Sequence, residues 1–488
     1  MRSKDGKANR TTGQWSAGQR PESFSVARGL LVLGCTLSLG GCSVSRVDLQ
    51  KPTVPLPAAL PAPEAAGVAL PDPWWKIFDD ARLNLLIDEA LARNPDVAIA
   101  AARVEQARAG LRIANADRMP TLGAQSEALR QKQSSALLFP GSERMGTVYT
   151  VQGAVGYELD LWGRYARAAE SARALLLNSE YGSEATRLSL TADVARGYYG
   201  LIAASEQLER ARDTLTTREE SLRLEQLRLD AGESDEFTFK RAAAEAAATR
   251  KSVHQLQFEV AQRKNSLTIL LGRSPQDLID NAIAVDESVL PGAVVLPPEL
   301  PSTVLAQRPD IGAAEAALMA AAADIGAARA QLFPQISLTG AYGSASPELD
   351  GLFTRPMQAW SVAAGLLQPV FEGGRLRANV ARTEAVREQR KAEYAQTVQL
   401  AFRDVFNALH GQTEIAAVRQ ANLEQVSALQ RATELAELRY SQGDIAYLEL
   451  LDVRRGLFQA EIDLIAAERD SLLNTVDLAL AMGGRMGE

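Results

Sequence analysis

Cysteine is almost missing from this chain of 488 residues: only Cys35 and Cys42 occur, both near the amino terminus. Histidine is as scarce, with His254 and His410 each alone in a stretch that reads as helix. A zinc site or a Ser-His-Asp triad therefore lacks its parts. No window approaches 18 uncharged apolar residues, which excludes a membrane-spanning helix as the expected anchor but leaves a β-barrel open. A phosphate-binding glycine loop is missing too, since Gly373-Gly374 follows a strand-like stretch without the Walker spacing. Aspartate and glutamate recur as helix surface charges and pair in no recognisable pocket. Catalysis is not expected. With 46% apolar residues, the chain still has ample material for a core, so neither disorder nor a stapled mini-protein is in question.

The amino terminus is an address. Gly29 to Gly41 is apolar, follows Arg10, Arg20 and Arg28, and is too short to span a bilayer, so residues 1–41 read as a signal peptide. The sequence Leu39-Gly40-Gly41-Cys42-Ser43 resembles the lipobox of bacterial lipoproteins. By that resemblance Cys42 becomes the first residue and carries diacylglyceryl and N-acyl chains, and Ser43, not being Asp, directs it to the outer membrane. An ordinary signal with an incidental cysteine is the blander alternative. Cys35 would leave with the signal, so the exported protein could form no internal disulfide. No metal or other cofactor is expected. Cleavage removes six Lys/Arg and two Asp/Glu and moves the net charge from −8 to −12, which argues against a nucleic-acid surface. Residues 42–73 carry seven prolines and read as an extended tether.

The stretch that organises the rest is Thr147 to Leu161. Tyr149, Val151, Val155, Tyr157, Leu159 and Leu161 alternate with polar or small residues, as on a strand with one apolar face. A proline-free run from Arg164 to Asp230 follows and reads as one very long helix. The chain then repeats itself. Asn94-Pro95-Asp96-Val97 returns as Arg308-Pro309-Asp310-Ile311 and Pro120 as Pro334, at a spacing of 214; Gly163, Gly232 and Gly272 return as Gly374, Gly443 and Gly483, at 211. Such constant spacing marks two copies of one unit. The expected organisation is a first repeat over 74–273, with strands at 121–130 and 147–161 and a hairpin tip at 231–234. A linker over 274–301 leads to a second repeat over 302–488, with strands at 335–343 and 357–367 and a tip at 442–445.

Each long helix, Arg164–Asp230 and Arg375–Ser441, would run about 100 Å, far more than a bilayer, so both stand in water. Asp96–Met119 and Asp235–Leu271, laid end to end, nearly match one of them. Val194, Leu201, Leu208, Leu215, Leu222 and Leu229 recur every seven residues, a narrow seam that calls for a partner helix. Such helices suit the wall of a hollow cylinder, although a core face of an ordinary bundle would read the same. Four strands cannot close a barrel, for which about eight are needed, and an open edge in lipid leaves amides unpaired. The subunits must share a wall; two, three or four copies satisfy that bound.

The lipobox at Cys42, Trp74-Trp75-x-x-Phe78 with Leu83 to Leu91 behind it, Arg308-Pro309-Asp310-Ile311, Gln368-Pro369-Val370-Phe371-Glu372-Gly373-Gly374-Arg375, and Arg439-Tyr440-x-x-Gly443 before Leu451-Asp452 together resemble the TolC-like outer-membrane factors. The resemblance is to the lipoprotein branch paired with resistance-nodulation-division efflux pumps. It implies an α+β membrane protein, a homotrimer whose twelve strands form one outer-membrane barrel continued by a periplasmic helical barrel. It further implies an exit duct for small molecules delivered by an inner-membrane pump through a periplasmic adaptor. A type I protein-secretion duct is the alternative within the family, and a periplasmic coiled-coil scaffold is the alternative outside it.

Two sets of residues carry the candidate work. Gly232, Glu233 and Ser234, and Gly443, Asp444 and Ile445, form the helix turns far from the strands. Glycine there is explained by a left-handed cap, and the resemblance adds that these tips meet the adaptor. Leu448, Asp452 and Arg455 fall on one helix face; a solvated charge pair beside a core leucine is the plain reading. The resemblance makes them the constriction of a closed mouth, with Leu448 as plug and Asp452 and Arg455 holding neighbouring coils through charge-assisted bonds; three copies of Asp452 around an axis would also make an acidic ring, a cation filter. The first repeat has Phe237 and Arg241 at the corresponding places, so the expectation is that only the second hairpin moves.

Overall fold

The computed structural model describes residues 51–52, 54, 71–132, 145–280, 283, 290–292 and 307–484. Cys42, the signal segment, most of the tether and most of the 274–301 linker lie outside the described residues. A short 3-10 turn, Trp74–Phe78, leads into α1 (Ala81–Arg93) and α2 (Pro95–Ala116). Strands β1 (Thr121–Lys132) and β2 (Met145–Leu159) come next, then α3 (Arg164–Asp230), α4 (Glu236–Leu270) and the short α5 (Pro275–Ile279). The second repeat supplies α6 (Pro309–Ala330), β3 (Gln335–Ser346), β4 (Gln358–Leu367), α7 (Arg375–Gln442) and α8 (Tyr447–Ala481).

Several boundaries differ from the sequence reading, for local reasons. The second strand stops at Leu159, not Leu161, because the Asp160 carboxylate accepts the backbone N–H of Ala166 at 2.8 Å and so already belongs to the start of α3. The first and third strands run on to Lys132 and Ser346, where Met145 and Tyr149 on β2 still give them ladder partners. The fourth begins at Gln358, since Met357 closes the 3-10 turn Arg355–Met357. The short helices are trimmed to 22 and 35 residues by turns at Asp117–Met119 and Leu271–Gly272. The exclusion of an apolar helix also needs correcting. Pro309–Ala330 is long and apolar enough to cross a membrane by length and composition, and more than half of its most apolar part is buried in the fold. Its alanines are small enough to let it lie tightly along α3, which accounts for the apolar run.

The helices form one layer. α3 packs on α2 and α4 along one side and on α6 and α8 along the other, while α7 packs on α6 and α8. The two stacking points, where a short helix begins at the end of another, are built alike in the two repeats. Asn94 donates its side-chain amide to the carbonyl of Leu270 at 2.9 Å, and Arg308, its counterpart, donates to the carbonyl of Ala481 at 2.9 Å. Gly272 and Gly483 end their helices with φ of +67° and +77°. A Cβ on Gly272 would stand 2.4 Å from the carbonyl oxygen of Arg93, so both backbone conformation and space demand glycine. Gly272→Ala is expected to cost roughly 2 kcal/mol or more, read as a lower denaturation midpoint of the purified protein.

The main core sits at this level. Trp74, Phe78, Leu83 and Ile87 pack on Tyr199, Leu201 and Ile202 of α3, Leu267 of α4 and Leu472 and Val476 of α8. Trp74 Nε1 donates to Thr191 Oγ1 at 3.2 Å, satisfying the one polar atom of a side chain otherwise shut from water. The heptad seam is deeply buried at Val194, Leu201 and Leu208, and only half-buried at Leu215, Leu222 and Leu229, so it thins toward the hairpin tip. Arg273 grips both oxygens of Glu89 at 2.9 and 2.8 Å and ties α1 to the end of α4. That hydrogen-bonded guanidinium holds the Glu89 carboxyl below its ordinary value of 4.5. The clasp is therefore fully present above pH 4.5 and is lost as pH falls through the depressed value. Glu89→Gln should accordingly flatten the acid limb of a denaturation-versus-pH curve.

Candidate functional site

The sheet runs β1-β2-β3-β4, all antiparallel, and its register sorts every side chain to one of two faces. Leu122, Val155, Val151, Tyr149, Tyr157 and Leu159 share one face with Ile336, Leu338, Tyr342, Trp360, Val362 and Leu366. Leu122 is 85% exposed and Val362 79%, so this broad apolar face has no cover among the described residues. The opposite face carries Gln125, Glu127, Thr150, Gln152, Glu158, Ser337, Thr339 and Ser361, interspersed with glycine and alanine and, toward the strand ends, with Leu129, Val148 and Leu367. Polar inside, apolar outside and aromatic near the rims is the pattern of a strand wall between lipid and water. At the helical end of the strands, Trp162 stacks on Phe333 with ring centroids 4.9 Å apart and donates to the carbonyl of Pro334 at 2.7 Å.

The wall is open on both flanks. Among the described residues, β1 and β4 each pair on one side only. The helix layer ends at the same two flanks, with α2 and α4 below β1 and α7 below β4, and α7 makes no substantial contact with α2 or α4. Sheet and helices thus call for the same partner, another copy of the chain, at both edges.

At the far end, backbone hydrogen bonds close the tips. Gly232 and Gly443 take φ of +72° and +81°, and the N–H groups of Glu233 and Asp444 return to the carbonyls of Arg228 and Arg439 at 2.8 and 2.9 Å. Glu233 and Asp444 point to solvent and Ile445 is half-buried. Ser234 turns inward and donates to Glu225 at 3.0 Å.

Leu448 is 46% exposed, and Asp452 is exposed and makes no ion pair among the described residues. Arg455 reaches away from Asp452 to Glu245 on α4, a carboxylate that also lies 3.8 Å from the buried Arg218 of α3. The ties between the two hairpins involve further residues that the sequence reading did not single out as site residues. Tyr440 donates to Glu225 at 2.7 Å, and Arg228 contacts both. Arg454 bonds Glu437 at 2.7 Å and Ser221 at 3.2 Å. Burial, then the bond to Glu225, pushes the Tyr440 hydroxyl up to about 12, so it remains a donor at neutral pH. Tyr440 stood among the family landmarks, but its partner lies 215 residues away in sequence, where no local pattern announces it.

Among the described residues no cluster of three or more metal-ligating side chains occurs. His254 contacts Gln257 at 3.1 Å, and His410 lies edge-on to Phe406.

The family model described as outer membrane efflux protein matches residues 86–273 and 300–484. The solvent efflux pump outer membrane protein SrpC of Pseudomonas putida is 36% identical over 465 residues, covering 92% of this chain and 96% of that protein. The cation efflux system protein CusC of Escherichia coli is 33% identical, covering 93% and 98%. A crystal structure of a membrane protein from Pseudomonas aeruginosa superposes with a TM-score of 0.83 at 34% identity, over 90% of this chain and 100% of that one.

Proposed function

The chain belongs to the outer membrane efflux protein family and is the outer-membrane channel of an efflux system, and from that premise we propose that it works as a homotrimeric exit duct. Three copies would give twelve strands, enough to close a barrel, where the four strands of one copy are not. The observation that carries this reading is the coincidence of unpaired edges in sheet and helix layer at the same two flanks. The duct is passive: it receives small molecules from an inner-membrane pump of the resistance-nodulation-division type through a periplasmic adaptor that meets the tips at Gly232, Glu233, Ser234, Gly443, Asp444 and Ile445. Relatives named for solvents and for cations support small-molecule efflux over protein secretion. A coiled-coil tether would have no use for a sheet with an apolar face. Cys42 carries the lipid, so Cys42→Ser should yield a mature protein lacking acyl mass and less firmly held in the outer membrane.

Leu448 and Asp452 line the narrowest part of the mouth, where three copies of Asp452 make an acidic ring that favours cations. Arg455 ties the mobile second hairpin to α4 of the first. Single-channel recordings of the purified protein in planar bilayers test the reading: steady currents with cation preference support it, and Asp452→Ala should weaken that preference. If Asp452→Ala leaves both conductance and selectivity unchanged, the acidic ring is wrong even where the duct is right.

A further inference from the structure

Both long helices leave the sheet on one side, so the strand ends near Thr121, Leu159, Gln335 and Leu367 face the periplasm, and those near Lys132, Met145, Ser346 and Gln358 face outward. On β1 the outward-facing end carries Arg130 and Lys132. The register puts both on the apolar, lipid-facing side, since Arg130 lies opposite Thr147 and Lys132 opposite Met145, one and two steps beyond the pair Ala128 and Tyr149. Both side chains are exposed, and neither makes an ion pair among the described residues. Arg355, in the turn that leads into the outer end of β4, is likewise exposed and without an ion pair among the described residues. β1 and β4 are the two open edges, so the cations sit on the two borders that must meet.

We propose that each seam, with Arg130 and Lys132 from one copy beside Arg355 from the next, binds the phosphate groups of the glycolipid that forms the outer leaflet. The inference rests on the shared barrel described above. Tyr149 lies one same-face step inboard of Arg130 and marks the level of the membrane boundary. Long cationic side chains at that level extend toward headgroups and gain from anionic ones. Among the described residues, the acidic groups of this end lie on the lumen face or in a loop. Glu127 lies on the lumen face, while Glu348 and Asp350 belong to the loop between β3 and β4. A protein whose mature charge is −12 thus gathers unpaired cations where the membrane presents phosphate.

The test uses the full lipidated protein in detergent and native mass spectrometry, with lipid A bearing both phosphates and with its dephosphorylated form as probes. Retention of the phosphorylated probe by intact oligomers, falling roughly a hundredfold in the triple variant Arg130→Gln, Lys132→Gln, Arg355→Gln, is the expected result. Equal retention of both probes, or retention unchanged in the triple variant, overturns the site. So does a triple variant that falls apart in lipid-free detergent, because the cations would then clasp Glu348 or Asp350 of the adjacent copy. A wild-type protein that is itself monomeric and carries no current would instead remove the shared barrel, and the seam with it.

Discussion

Val362→Arg is expected to abolish assembled channels in the membrane, whereas Ser361→Arg, one residue earlier, leaves assembly intact and lowers single-channel conductance. The two positions are neighbours in sequence and opposites in environment. Val362 stands on the apolar face opposite Gly340, 79% exposed in one copy, near the middle of β4. An arginine at the mid-plane of a lipid-facing wall costs about 2–4 kcal/mol in each copy, and a closed ring repeats that cost at every subunit. Ser361 faces the lumen beside small residues such as Ala341 and Ala363, where a guanidinium stays in water and merely narrows and charges the passage. Heat-stable oligomers on gels, followed by bilayer recordings, separate the two. Equal tolerance of both substitutions would mean that the two faces have been assigned wrongly.

The second large effect lies at the other end. Tyr440→Phe combined with Arg455→Gln should raise single-channel conductance severalfold, because it removes two of the ties near the tips that hold the second hairpin to the first. Tyr440 donates to Glu225, whose side chain is only 4% exposed, and Arg455 binds Glu245, whose side chain is 15% exposed. A hydrogen bond to a charged and nearly buried partner contributes about 1.5–3 kcal/mol; the pair of Arg455, itself half exposed, is screened and worth less. Removing both leaves the tip glycines and the core near Trp74 untouched, so thermal stability should change far less than conductance. A double variant that conducts like the parent would show that the mouth is held by contacts other than these.

The sequence announces the repeats, the long helices and the alternating faces because each rests on a periodicity: 214 or 211 residues for the units, seven for the coiled seam and two for the strands. The bounds of α3, Arg164–Asp230, follow from a proline-free run between two glycine turns. What escapes local pattern is whatever depends on a distant partner or a competing bond. Asp160 alternates correctly for a strand, yet its carboxylate caps α3, and the strand ends before it. Glu225 and Glu245 resemble dozens of other helix carboxylates until the fold brings Tyr440 and Arg455 to them. Asp452 and Arg455 share a helix face, and spacing alone suggests a pair, but a carboxylate on another helix wins the arginine. The apolar run in α6 reads differently again once α3 is seen to cover it.

Whether one copy's β4 adjoins another copy's β1 is most directly read by disulfide trapping. Ala124→Cys on β1 can be combined in turn with Val362→Cys, Ala364→Cys or Leu366→Cys on β4, all on the lipid-facing side. Oxidised membranes run on a non-reducing gel should show, for at least one pair, a ladder ending at a covalent three-chain species, with the single-cysteine controls staying at one chain. Monomeric bands for every pair, in protein that is correctly inserted, would contradict the account.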